Sequence, residues 1–160
     1  MGVLIDVIGF VVLTATAIVA GGQLFVLVAI LPAMPSWSPD FSAIVHRDAM
    51  TDRPHRFLRV FAAISLVTGV AFLVLMIVDD DSWAAITLVA IGFAATLVSS
   101  AISSREWPIN EEIKSWGDAP KADRYAELRH LWDTRHVRRT WLSTIGLAAY
   151  VVAILVSESA

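Results

Sequence analysis

Four long apolar runs decide what this chain can become. Residues 3–31, 57–78, 83–103 and 141–156 are almost free of charge. A helix needs roughly 20 residues to cross about 30 Å of hydrocarbon. The first three runs reach that length. The fourth is short, but the segment before it ("KADRYAELRHLWDTRHVRR") has helical periodicity, so one helix is predicted to continue out of the bilayer into water. The first run has no basic stretch before it, is too long for a signal-peptide core and shows no small-residue cleavage site, so it reads as a retained helix.

Charge placement predicts an orientation. Arg47, Arg53, Arg56 and Arg59 fall between or at the ends of runs one and two, and the other eight Lys and Arg residues fall between runs three and four. The short connection "DDDS" and both ends of the chain carry none. By the positive-inside rule both long loops are expected in the cytoplasm and both termini outside. The fold class expected is all-α: a single domain over residues 1–160, an integral membrane four-helix bundle in the cell membrane with a cytoplasmic helical cap.

Several function classes drop out. The formal net charge of −3, with no basic helix carrying interleaved aromatics, gives no case for nucleic acid. With no cysteine there is no thiolate nucleophile, disulfide, Cys-ligated zinc or iron–sulfur cluster. His46, His55, His130 and His136, with Glu111 and Glu112, are the conceivable metal ligands, yet none forms a recognised ligand spacing, so no metal site is assigned. A transporter is disfavoured because inverted halves and paired interrupted helices are lacking, although homo-oligomer formation stays open.

Local signals order the loops. In "SPDF", Ser38 is a natural N-cap with Pro39 at the first helical position. In "TDRPHRF", Asp52 is the candidate cap of the second span, with Pro54 in its first turn. Pro108 is expected to end or bend the third helix, and "GDAP" to break the short helix after it.

Three groups of residues can carry chemistry. Tyr125, Arg129, Trp132, His136, Arg139 and Ser143 follow steps of four and three, which puts them on one face of a helix running toward the membrane. Such a stripe also serves plain packing, solubility or interfacial anchoring. The second group is "SREWPINEEIKSW". If Pro108 restarts a helix, Asn110, Glu111 and Glu112 occupy its first turn, where the helix dipole favours carboxylates. Dipole pairing accounts for the glutamates better than for Asn110, whose amide can orient a polar ligand, and Trp107 and Trp116 suit interfacial anchoring. Third, Gln23 within the first span needs a partner or a cavity. Ser99, Ser100, Ser103 and Ser104 fit close helix packing.

"WPINEEIKSW" and "LWDTRHVRRTWLSTIGLAA", with "AGGQLFVLVAILPAM" leading to a proline in the first helix, make the chain resemble the anthrone oxygenase-like family of small four-helix membrane proteins. Its Asn-centred motif falls on Asn110 and Glu111, its Trp–His–Arg motif on Trp132, His136 and Arg139, and Pro32 is a weaker match. The resemblance implies cofactor-free oxidation of a polycyclic anthrone by O2. His136 would be the general base and Arg139 or Asn110 the oxyanion donor, with Trp132 or Trp116 stacking on the rings. Trp107, Arg129, Tyr125 and Gln23 are further candidate substrate contacts. The partners implied are a hydrophobic small molecule, O2 and membrane lipid. Two other readings stand beside this one: a non-enzymatic module binding a quinone, lipid or protein, and a metal-dependent membrane oxidoreductase.

Overall fold

The computed structural model describes residues 2–50, 53–117, 119 and 121–157, and every regular element among them is helical. Helix α1 (Gly2–Phe25) widens into a π turn (Val26–Ile30) and a 3-10 turn (Met34–Ser36). Pro32 has no N–H to give the ladder and crowds the preceding turn, which accounts for the departure from α geometry just before it. Helix α2 (Pro39–Val45) and a second π turn (His46–Met50) lead to α3 (Arg53–Val78), α4 (Trp83–Ser104), α5 (Trp107–Ser115) and α6 (Ala122–Ser157).

Four of these helices are long and apolar enough to cross a membrane, yet only 22–33% of their most apolar stretches is buried inside the bundle. Val3, Phe10, Val67, Val74, Ile91 and Leu155 all point outward. A water-soluble bundle would hide such surface; lipid needs none of it hidden. In the ring of four, α1 packs on α3 and α6, and α4 packs on α3 and α6. The α4–α6 contact is close because two glycines meet: a Cβ on Gly146 would lie 3.1 Å from the Gly92 carbonyl oxygen and 2.9 Å from Thr96 Oγ1.

The expected caps form. Ser38 Oγ accepts from the Phe41 amide at 3.2 Å, opening α2. Asp52 lies outside the described residues, but Pro54 does stand in the first turn of α3. As expected, the run 141–156 is the end of one longer helix, which at 1.5 Å per residue measures about 54 Å.

Pro108 ends α4, but the break falls at Arg105–Glu106, so that α5 starts at Trp107 with the proline inside its first turn. The first turn therefore closes at Asn110. Glu111 and Glu112 fall in the second turn, contrary to expectation, and the N-cap is Glu106.

Two apolar clusters divide the bundle. Val12, Phe72, Met76, Val89 and Tyr150 fill the end near the Asp79–Ser82 turn. Met34, Ile109, Ile113, Tyr125, Leu128 and Trp132 fill the end under α2 and α5, the capped end. Along α6 the polar residues His136, Arg139, Thr140 and Ser143 lie between the two clusters, all buried. The cavity opens at that level.

Candidate functional site

The α6 stripe does face inward. Tyr125, Trp132, His136, Arg139 and Ser143 are all buried, and Arg129 is half-buried beside Asp133 at 3.4 Å. At 1.5 Å per residue the stripe is about 27 Å long. Its two ends therefore meet different neighbours and form two separate sites.

The deeper site centres on His136. Its Nδ1 accepts from Arg139 Nη2 at 2.8 Å and from Arg139 Nε at 3.3 Å. A nitrogen that accepts carries no proton, so the neutral ring is protonated at Nε2, which donates to the Gln23 carbonyl oxygen at 3.0 Å. Arg139 Nη1 donates to Ser103 Oγ at 3.1 Å and stands 3.0 Å from Glu106 Oε2. Glu106 is wholly buried, and neither of its oxygens has hydrogen-bond geometry to a donor, so its link to Arg139 is a Coulombic pair. Ser99 Oγ donates to the Arg139 carbonyl at 3.0 Å and is 2.7 Å from Ser143 Oγ; with its one hydrogen spent, Ser99 accepts there from Ser143.

These groups form the polar end of a cavity of about 520 Å³. Its other walls are apolar: Val19 and Gly22 of α1, Val26 of the π turn after it, and Leu58, Ala62, Ala63 and Leu66 of α3. Trp132 lines it behind His136, the two rings stacked at 4.8 Å and 14°. Arg59 and Trp107 line it where they are themselves exposed, the guanidinium 4.5 Å from the indole centroid. Gln23 is buried on the wall, and its Oε1 has no hydrogen-bond partner. That unsatisfied acceptor is itself covered, but its residue lines the cavity, so a turn of the side chain brings the amide to a donor there.

The second site lies in the cap and centres on His46. Its Nε2 donates to Asn110 Oδ1 at 3.2 Å, leaving Nδ1 buried without a partner. The ring meets Trp132 edge-on at 4.9 Å and Tyr125 at 6.0 Å. Tyr125 Oη in turn donates to the Ser42 carbonyl at 3.1 Å, tying α6 to α2. Burial pushes the His46 imidazole down to about 4, the Asn110 hydrogen bond opposing the fall and the Arg129 charge adding to it.

Of the residues singled out by sequence, Gln23, Trp107, Trp132, His136 and Arg139 line the cavity. Asn110 and Tyr125 do not. They belong to the His46 cluster, which meets His136 across the Trp132 ring. Trp116 packs on Tyr125 at 6.5 Å, away from the cavity, and Arg129 is held by Asp133. Glu111 is exposed, and its neighbour Glu112 pairs with Arg124 at 2.7 Å. The physical reason is the start of α5: with Trp107 first in the helix, Ile109, Asn110 and Ile113 turn inward and Glu111 turns out.

Sequence reasoning passed over Glu106, whose only signal was a charge directly before Trp-Pro, and Arg59, read as a topology marker alone. Among the described residues no three of His, Asp or Glu gather as a metal-holding group. His130 is exposed, and His46 and His136 each pack on Trp132. No family model, curated protein or solved structure matches the chain.

Proposed function

We propose that this chain is a membrane-embedded, cofactor-free oxygenase for a flat, anthrone-like substrate, lying in the cell membrane with its capped end in the cytoplasm and both termini outside. The observation that carries the reading is the cavity itself: apolar walls, ring-bearing side chains and a buried polar end holding Gln23, His136 and Arg139. Pockets of about 300–1,000 Å³ with a few converging polar groups are the usual form of small-molecule sites. A lipid-soluble substrate enters from the bilayer.

The substrate's oxygen turns Arg139 Nη2 from His136 Nδ1 toward itself, and the freed nitrogen takes the ring methylene proton. Arg139 then holds the enolate oxygen. The enolate gives electrons to O2, the oxygen adds at the same carbon, and loss of water leaves the quinone. The balance is one anthrone and one O2 to one quinone and one water. Gln23 Oε1 accepts from a substrate hydroxyl.

The test is oxygen uptake and quinone absorbance with an anthrone and protein in nanodiscs. Turnover lost in both His136→Ala and Arg139→Gln, each still helical by circular dichroism, supports the reading. Turnover undiminished in His136→Ala overturns it. One observation favours a second reading, a quinone- or lipid-binding module without chemistry: both nitrogens of His136 are engaged, by Arg139 and by the Gln23 carbonyl. That module would bind quinones with no O2 uptake above the blank.

A further inference from the structure

We infer that the cavity takes a monoanion, an acidic oxygen on a flat apolar body, and that Arg59 reads the charge. The inference deepens the proposed function and rests on this cavity being the ligand site. Two guanidinium groups, Arg59 and Arg139, line the cavity, and among the described residues no carboxylate does. Glu106 stands behind Arg139 and balances it, while His136 is neutral in the hydrogen-bond arrangement described above. With Glu106 ionised beside Arg139, one positive charge is left over among the described residues, at Arg59.

Among the described residues no carboxylate comes within ion-pair distance of Arg59. Its guanidinium lies over the Trp107 ring, 4.5 Å from the centroid. Among the described residues no hydrogen bond or ion pair engages its N–H groups. Those N–H groups form the fork that binds a carboxylate, phenolate or phosphate oxygen pair. On the α4 wall the Ser100 hydroxyl is a further donor beside an anion, while Ser103 and Ser104 spend their hydrogens on the Ser99 and Ala101 carbonyls. A cation at the rim of an apolar cavity, with indole beneath it, orients an acidic amphiphile with its rings inward and its charge at the rim.

The same anionic chemistry can come from a small aromatic acid or from an acidic phospholipid headgroup, and the experiment separates them. Binding of anthracene-9-carboxylate and of the neutral anthracene-9-methanol is followed by energy transfer from tryptophan, with protein in phosphatidylcholine nanodiscs. The quantity read is the acid-to-alcohol affinity ratio in wild type divided by that in Arg59→Gln, which cancels differences in membrane partitioning. A charge-assisted bond in such a place gives a ratio of about tenfold or more. Arg59→Lys keeps the charge without the fork and should fall between the two. Circular dichroism confirms that both variants fold.

A ratio near one, or no transfer with either probe, overturns the inference. Repeating the titration with phosphatidylglycerol in the disc distinguishes the sources. Displacement of the acid assigns the arginine to a lipid headgroup, and undiminished binding assigns it to the small acid. Oxygen uptake is measured separately, so charge selection without turnover removes only the oxygenase reading, and turnover without charge selection removes only this one.

Discussion

Replacing Glu106 by Gln removes the counter-ion of Arg139 while leaving the shape of the site nearly unchanged. The carboxylate is fully buried, Arg139 is 8% exposed, and the closest atoms are 3.0 Å apart. A buried charge left without its partner costs about 3–5 kcal/mol. An amide oxygen turned to accept from the guanidinium, a bond Glu106 does not make, recovers about 1–2 kcal/mol. The expected loss is thus roughly 2–3 kcal/mol for Glu106→Gln. Arg139→Met strands the carboxylate instead, and since neither Glu106 oxygen has a hydrogen-bonding donor, its loss should be about 3–5 kcal/mol. The double variant holds no buried charge at all. Its loss should fall short of the sum of the two by about 2 kcal/mol, the coupling that a double-mutant cycle isolates. Reversible unfolding in mixed micelles of dodecyl sulfate and maltoside, read by tryptophan fluorescence, measures all three. Additive losses, within about 0.5 kcal/mol, would refute the claim that this ion pair organises the site.

Three more predictions concern other parts of the molecule. The His46 imidazole is down at about 4 in the folded chain against 6.5 unfolded, so between those values only the unfolded state takes the proton. Stability is therefore full above pH 6.5 and falls as pH drops toward 4, by roughly 3 kcal/mol in all. His46→Gln should flatten that limb in unfolding measured against pH. Gln23→Leu deletes a buried acceptor that has no partner. It should raise the stability of the ligand-free protein by about 1 kcal/mol while weakening a hydroxylated anthracene more than anthracene itself, as energy-transfer titration would show. Gly146→Ala drives a methyl to 3.1 Å from the Gly92 carbonyl and 2.9 Å from Thr96 Oγ1. Helix separation should cost about 1–3 kcal/mol, and thermal unfolding in detergent checks it.

Much of the architecture follows from chain-local patterns. Length and apolarity mark the four long helices, the 3–4 spacing marks the inward face of α6, and Ser38 with Pro39 opens α2, because each depends only on residues within a few turns of one another. The start of α5 was legible only in part: the proline signalled a break, but the helix resumes at Trp107, ahead of the proline, with Glu111 turned outward and Glu106 buried at the cap.

The membership of the site was decided by tertiary structure. His46 meets Asn110 across 64 residues of sequence, and His136 meets the Gln23 carbonyl across 113. Arg139 meets Glu106, from the turn between α4 and α5. Such pairs depend on the rotation and axial register of one helix against another, and in lipid these are set by close packing at points such as Gly92–Gly146 and by interhelical bonds such as Thr16–Ser65 at 2.6 Å. A periodic stripe tells which residues face inward. It says nothing about what faces them, so Tyr125, Asn110 and Arg139, alike as candidates in the sequence, ended in two different sites.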